Sequence, residues 1–339
     1  MRHTEARSSS TRGLLSIFMN EENSNLSFQV EPEAVGKRLD AYLAEKIENW
    51  SRSRLQKLID DGDVSVNENQ AKSSYKLRAD DSIEIELSEL PVKTFEPENI
   101  ALEIVYEDES LAVINKPAGM VVHPGAGVLN GTLANAIAYH FKLQTADSKF
   151  ENRVGIVHRL DKDTSGLIVV AKTEEIHEQL SEQFREREVF KSYVALVHGA
   201  IEGKEGTINQ PIAREKHNRT KMAIRKHGRN ALSLWKLRKR FEKFTLLNVE
   251  IKTGRTHQIR VHLMSVNHPV VGDETYNGGR DKTIKDANVR RAVSELNRFF
   301  LHAERLSFTH PQTSERLEFY LPMPEELKNL LELIGTPSS

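Results

Sequence analysis

A single carboxylate between basic residues is the part of this sequence best suited to chemistry. Asp161 lies in the segment HRLDKDTSG, residues 158–166, together with the basic candidates His158 and Arg159. A carboxylate can attack an electrophilic carbon or take a proton, and it can do so reversibly. An aspartate in a polar turn is more often a turn residue or half of a surface ion pair, so Asp161 alone is a weak candidate.

The residues after this turn predict a rigid support for it. Residues 167–171 read LIVVA, an apolar and partly β-branched run that is typical of a buried strand. A turn anchored to such a strand can direct its side chains into a cleft.

A glycosidase is an alternative function, because Asp163 would supply a second carboxylate beside Asp161. Two residues that are two positions apart in a turn need not, however, hold their carboxylates at the separation that glycoside hydrolysis requires.

A second group of basic residues occupies residues 252–262, KTGRTHQIRVH, after an alternating strand predicted for residues 244–251. Thr256 is the predicted N-cap of a helix that begins here. The candidate anion-binding residues Arg255, His257 and Arg260 would then lie near a helix amino terminus, where free N–H groups attract anions. His257 and His262 are five residues apart and do not share a helix face, so we expect no metal site.

The net charge of −1 hides a strongly basic block. Between residues 214 and 240, eleven Lys and Arg residues face one acid, Glu215. Such a block repels itself unless it is extended, solvated or neutralised by a polyanion, which makes a phosphate backbone the expected partner. A solvated hairpin without a partner is a poor explanation for so many charges. The candidate phosphate-binding residues in the block are Arg214, Arg219, Lys221, Arg225, Lys226 and Arg229.

Composition narrows the class of protein. The chain has no cysteine, which excludes disulfides and thiolate metal sites and fits a reducing cytoplasm. No apolar stretch approaches the length of a membrane span, so we expect a cytoplasmic protein without a membrane partner. Strand and helix patterns mingle without a regular βαβ repeat. The expected fold class is α+β, with a mostly antiparallel or mixed sheet and flanking helices.

The chain divides into segments of different composition. We expect a disordered tail over residues 1–27, a small α/β unit over 28–90, a linker over 91–99, a large domain over 100–331 and a tail over 332–339. In the small unit, Ser51 precedes a predicted helix on which Arg52, Arg54 and Lys57 fall near one face and could grip phosphates. A plain solvated helix face explains them equally well. Residues 277–298 are polar and charged and receive no role.

Both units resemble known families. The small one resembles the S4 RNA-binding domain through GKRLD at residues 36–40, SRSRLQKLI at 51–59 and GDVSVN at 62–67. The large one resembles the RluA family of pseudouridine synthases through five ordered motifs, a combination far more specific than any one of them. These motifs are NKPAG at 115–119, HRLD with TSG at 158–166, KSYVA at 191–195, GRTHQIR at 254–260 and LHA at 301–303. The combination is similar to the large-subunit rRNA enzymes of the RluD and RluC kind.

The resemblance implies an isomerase that detaches uracil from ribose at N1 and rejoins it through C5, without cofactor or metal. Asp161 matches the family's catalytic aspartate, Arg260 the basic residue beside it, and Tyr193 the tyrosine that stacks on the base. Arg159 matches an arginine that fills the space of the extruded nucleotide. The basic block over residues 214–240 would then be a loop or hairpin that clamps the RNA. A stacked uridine must be flipped out before its C1′ and C5 can be reached. The expected partner is large-subunit rRNA or a pre-ribosomal particle, bound by a monomer.

Two further classes of protein stay open from the sequence. A catalytically silent S4-type protein acting in ribosome assembly would explain the basic elements but not the three catalytic matches in their family contexts. The tetrapeptide at residues 158–161 also occurs in protein kinases, yet no Gly-rich phosphate loop, Asp-Phe-Gly or catalytic-loop Asn accompanies it.

Overall fold

The computed structural model describes residues 25–47, 50, 52–87, 96–124, 128–142, 155–215 and 221–335, without the side chains of Asn25, Ser53, Arg54 and Lys57. Most of the predicted tails and linker therefore lies outside the described residues, as does Arg219.

The small unit packs two helices against an antiparallel sheet of four strands. Leu39, Leu43 and Leu55 from the helices meet Ile83 and Ile85 from the sheet in one apolar cluster. The first strand begins before Phe28, inside the segment that we expected to be disordered. The elements are α1 (Leu39–Lys46), α2 (Arg52–Asp60), β1 (Asn25–Gln29), β2 (Val64–Val66), β3 (Asn69–Gln70) and β4 (Ser82–Glu86), with the strand order β1-β4-β2-β3.

A nine-stranded sheet forms the large unit. Its strands are β5 (Glu103–Glu107), β6 (Leu111–Lys116), β7 (Ser165–Ala171), β8 (Phe190–His198), β9 (Glu205–Asn209), β12 (Leu232–Arg240), β13 (Phe244–Ile251), β14 (Leu301–Thr309) and β15 (Arg316–Tyr320). A separate hairpin consists of β10 (Ile212–Arg214) and β11 (Met222–Ile224). The strand order is β5-β6-β7-β14-β8-β13-β12-β9, and β15 pairs with β14. Only β7 and β14 pair in parallel among the described strands. The predicted α+β class with a mostly antiparallel sheet is confirmed.

Five helices in the described part of the large unit flank this sheet: α3 (Leu133–His140), α4 (Glu174–Arg185), α5 (Gln258–Ser265), α6 (Ala287–Glu295) and α7 (Glu325–Gly335). Thr132 and Thr173 cap α3 and α4 through their side chains. Helix α6 lies in residues 277–298, to which the sequence assigned no role. Its Val289 and Val293 share the main apolar cluster with Leu327 and Leu330 of α7. None of the helices described here has the length and apolarity that a bilayer crossing requires.

Strand β7 anchors the turn that carries Asp161. All of its residues are buried, because each face of the strand is covered by apolar side chains. Ile168 and Val170 belong to one apolar cluster, whereas Leu167 and Val169 belong to another. Burial on both faces accounts for the uninterrupted apolar run in the sequence. The turn therefore enters one of the most rigidly packed strands of the sheet.

The basic block does not form one continuous clamp. Its carboxyl-terminal part is strand β12, where the Arg238 guanidinium donates to Glu304 Oε1 at 2.7 Å. The Arg240 guanidinium donates to the carbonyl oxygens of Ile201 and Gly203. The expectation of a single loop or hairpin over residues 214–240 is wrong for this strand, because sheet pairing and internal acceptors hold it in the body of the domain.

Gly166 makes the parallel pairing of β7 with β14 possible. Its φ of +116° is one that side chains rarely adopt, and an added Cβ would lie 2.3 Å from the carbonyl oxygen of Ala303. We expect Gly166→Ala to lower the free energy of unfolding by about 2–4 kcal/mol through backbone strain and overpacking. Urea denaturation measures this change. Gly254→Ala, whose methyl group meets open space, is the control, and equal stability of the two variants would contradict the assignment.

Candidate active site

The turn before β7 and the start of α5 meet at an open cleft. The cleft brings together six residues that the sequence singled out, although they lie up to 101 positions apart in the chain. These six are Arg159, Asp161, Tyr193, Arg255, His257 and Arg260.

Arg260 links two carboxylates at the floor of the cleft. Its Nη1 donates to Asp161 Oδ2 at 3.1 Å, while its Nε and Nη2 donate to Asp273 Oδ2 and Oδ1 at 2.7 and 3.0 Å. The two bonds to Asp273 form the bidentate fork that a planar guanidinium favours. Arg260 is 6% exposed and Asp273 is 1% exposed. Asp273 therefore sets the orientation in which Arg260 reaches Asp161.

The Asp161 carboxyl is held in its ionised form. Burial alone would raise its pKa, but His257, Arg260 and Arg159 lower it, and the net pKa lies below the ordinary value. Burial also lowers the pKa of His257 to about 4, so this imidazole is neutral near neutral pH. The two guanidinium groups are then the charges that keep Asp161 anionic.

Tyr193 contributes a buried ring to the same cleft. It lies on the central strand β8, pairs with Val249 of β13 and Ala303 of β14, and belongs to the main apolar cluster. Burial first, and the negative charge of Asp161 second, raise the pKa of its hydroxyl above the ordinary value. The tyrosine is thus a neutral group with a rigidly held ring.

Lys116 anchors the turn that carries Asp161, a role that sequence reasoning missed. Its side chain is fully buried, and its Nζ donates to the carbonyl oxygens of Pro117, Met120 and Lys162 at 2.7, 2.8 and 3.0 Å. Burial lowers the pKa of Lys116 to about 7. One ammonium group therefore joins the NKPAG turn to the residue that follows Asp161. The motif was visible in the sequence, but its distant partners were not.

Two expectations about local structure are corrected here. His158 does not line the cleft: its Nε2 accepts from the backbone N–H of Val169 at 3.0 Å, and its ring stacks on Phe184. Thr256 is not the N-cap of α5, because His257 occupies that position with a φ of 53° and no side-chain cap. The side chain of Gln258 instead accepts from Thr253 Oγ1 and the Arg255 N–H, which holds the turn and displaces the cap by one residue.

Most described cations of the basic block have protein partners. The Lys221 Nζ donates to the Thr275 carbonyl oxygen at 2.8 Å, and Arg225 pairs with Glu215. Lys226 is exposed in the turn after β11, and Arg214 is half-buried at the end of β10.

The small unit supplies acids to this surface. Arg229 pairs with Asp63 and lies 3.9 Å from Glu86 Oε2, while Thr256 Oγ1 donates to Glu86 Oε1. Within the small unit, Arg52 pairs with the buried Asp40. The side chains of Arg54 and Lys57 lie outside the described residues. In the part of the chain that the structure covers, no group of three or more His, Asp or Glu is placed to hold a metal ion.

The pairing of Arg260 with Asp273 makes a stability prediction. Asp273→Asn removes the charge that compensates a buried guanidinium, so we expect the free energy of unfolding to fall by about 2–4 kcal/mol. Urea denaturation measures the loss. Glu274→Gln, at the exposed neighbouring position, is the control and should change little. An Asp273→Asn protein as stable as this control would show that Arg260 does not depend on Asp273.

Comparison with known proteins gives the same two units. A family model described as RNA pseudouridylate synthase matches residues 110–265, and an S4 domain model matches residues 37–83. An RNA pseudouridine synthase of Bacillus subtilis, YlyB, is 39% identical and aligns with 91% of this chain and 98% of its own length. Ribosomal large subunit pseudouridine synthase D of Haemophilus influenzae is 41% identical, over 91% of this chain and 94% of its own.

Solved structures agree with the sequence relatives. Human RNA pseudouridylate synthase domain containing 4 has a TM-score of 0.53 and 25% identity, and it covers 70% of this chain and 95% of its own. Human RNA pseudouridylate synthase domain containing 1 has a TM-score of 0.51 and 26% identity, with coverages of 72% and 100%. From the length and identity of these matches, the chain belongs to the family of RNA pseudouridine synthases.

Proposed function

We propose that this protein converts specific uridines of large-subunit ribosomal RNA into pseudouridine, with Asp161 as the catalytic carboxylate. The observation that carries the proposal is the ionised carboxylate of Asp161, held by Arg260 in a cleft that opens beside the buried ring of Tyr193. A carboxylate fixed in this way can attack the ribose carbon or take a proton from the sugar, and both routes begin from the anion.

The cleft suits a nucleotide that is flipped out of the base stack of the RNA. A paired duplex would keep C1′ and C5 of the uridine out of reach of Asp161, whereas an extruded nucleotide can enter the open cleft that Asp161 lines. Tyr193 offers a ring against which the extruded base stacks. Arg159 is exposed at the cleft and carries a planar cation that can take the place of the base in the RNA.

Three observations favour ribosomal RNA as the substrate. Several relatives about 40% identical over more than 90% of this chain are named ribosomal large subunit pseudouridine synthase D. The S4 domain match adds a second RNA-binding unit. The exposed Lys226 and the cations around it supply charge for phosphates beside the cleft. A silent binding protein would need neither the Asp161–Arg260 pair nor the buried Asp273 behind it. We further propose that the protein acts as a monomer in the cytoplasm.

Release of tritium tests the reaction directly. Ribosomal RNA carrying uridine labelled with tritium at C5 loses the label to water when C5 becomes the glycosidic carbon. We expect release with large-subunit rRNA and mapping of the product to discrete positions. RNA binding without release from any rRNA fragment would contradict the proposed function.

Asp161→Asn and Asp163→Asn form a matched pair in the same turn. We expect Asp161→Asn to lower the single-turnover rate by at least about 10²–10⁴-fold, because the anion is lost, and to leave the RNA dissociation constant within about threefold. Asp163→Asn should keep most of the rate. Similar rates for the two variants would show that Asp161 has no special part in the reaction.

The lowered pKa values of Asp161 and His257 predict a flat pH profile. Asp161 stays ionised and His257 stays neutral above about pH 5, so neither group changes charge between pH 5 and 7. The single-turnover rate at saturating RNA should be constant between pH 5 and 6, below the pKa of about 7 of Lys116, and any loss due to His257 should begin only as pH falls towards 4. A transition near pH 6.5 that disappears in His257→Gln would contradict the assignment.

A further inference from the structure

The hydroxyl of Tyr276 joins the basic hairpin to the cleft. Tyr276 is 7% exposed, and its oxygen accepts from the backbone N–H of Met222 in β11 at 2.8 Å. The same oxygen lies 2.8 Å from Nδ1 of His257. The Tyr276 ring also packs against the guanidinium of Arg260, 4.9 Å from its centroid. One side chain therefore contacts the hairpin, the imidazole and the arginine that holds Asp161.

The need to satisfy the Tyr276 hydroxyl proton favours one direction for the hydrogen bond between Tyr276 and His257. A neutral imidazole carries one proton, on Nδ1 or on Nε2. Because the Met222 N–H already donates to the tyrosine oxygen, the hydroxyl proton is satisfied within the described residues only by donation to Nδ1. The imidazole proton then lies on Nε2. This nitrogen makes no hydrogen bond to any described residue, and His257 lines the cleft.

The segment that carries Tyr276 also holds the hairpin. Lys221 directly precedes β11, and its Nζ donates to the carbonyl oxygen of Thr275. The backbone N–H of the next residue, Met222, donates to the Tyr276 hydroxyl. Three residues before Tyr276, Asp273 forms the fork with Arg260. Residues 273–276 thus fix the hairpin, the imidazole and the catalytic arginine relative to one another.

We propose that Tyr276 is a positioning residue for the isomerisation: its hydroxyl holds His257 in the tautomer that presents Nε2–H to the uridine in the cleft, and it ties this orientation to the β10–β11 hairpin. A donor at this place suits a carbonyl oxygen of uracil or a ribose oxygen. The proposal rests on the proposed function, since it assigns a role in the same cleft.

Removal of one oxygen atom tests the role in catalysis. Tyr276→Phe keeps the ring against Arg260 and deletes the hydroxyl. We expect the single-turnover rate at saturating RNA to fall about tenfold, the effect of one hydrogen bond, with the RNA dissociation constant unchanged within about threefold. Tyr106→Phe is the matched control, because it deletes a hydroxyl that donates to Asp108 at 2.7 Å outside the cleft. Equal rates for the two variants would overturn the proposal.

The tautomer itself can be observed without catalysis. ¹⁵N NMR of protein labelled in its histidine side chains, with His257→Gln to assign the signal, should show His257 protonated at Nε2 in the wild type. Tyr276→Phe should shift the signal towards a mixture of tautomers. A wild-type imidazole protonated at Nδ1, or one that Tyr276→Phe leaves unchanged, would overturn the proposal whether or not the protein releases tritium.

A double variant distinguishes action through His257 from action through Arg260. If Tyr276 works through the imidazole, then Tyr276→Phe combined with His257→Gln should be no slower than the slower single variant. Rate losses that multiply would place the effect of the hydroxyl elsewhere and overturn the proposal. Because the NMR measurement needs no RNA, its failure is distinguishable from failure of the proposed function.

Discussion

The guanidinium of Arg260, shared by two carboxylates, is the interaction on which the rest of the site depends. Burying a guanidinium is costly unless opposite charges and hydrogen bonds compensate it. Asp273 provides that compensation with a two-bond fork, and the remaining nitrogen reaches Asp161 at 3.1 Å. The two carboxylates also differ in exposure: the Asp273 side chain is buried, whereas the Asp161 side chain faces the cleft. The inner carboxylate orients the arginine, and the outer one remains available for chemistry.

The sheet and Lys116 together fix the backbone that carries Asp161. Asp161 precedes β7, whose two faces are both covered, and Gly166 permits the close parallel approach of β14. Lys116 fills the space beneath the turn with one ammonium group bonded to three carbonyl oxygens. Such a support holds the backbone on either side of Asp161 without using the carboxylate. The position of Asp161 is therefore set by the backbone, and its charge is set by Arg260.

Much of this arrangement was predictable from local sequence. The apolar run at residues 167–171 predicted a buried strand, and the structure contains it as β7. The family motifs singled out Asp161, Tyr193 and Arg260, which meet in one cleft. The strand prediction succeeds because the burial pattern of a strand depends on residues close together in the chain.

Sequence reasoning missed contacts between residues that are far apart in the chain, and it placed one helix start wrongly because a neighbouring side chain holds the turn. Asp273 and Lys116 act on residues 13 and 46 positions away, and no local pattern reveals such contacts. The start of α5 moved by one residue because Gln258 holds the preceding turn. The basic block looked unbalanced because its acids, Asp63, Glu86 and Glu304, come from other parts of the chain. The net charge of a sequence segment therefore does not give the charge of the surface on which its residues lie.

Arg260 acts through the geometry of its planar fork as well as through its charge. Arg260→Lys keeps the positive charge but cannot bridge Asp273 and Asp161 in the same way. The decisive measurement is its single-turnover rate on large-subunit rRNA, with the RNA dissociation constant determined in parallel. We expect a fall of about 10²-fold or more in rate, with binding changed by less than about threefold. A folded Arg260→Lys protein that reacts within about fivefold of the wild-type rate would contradict the account.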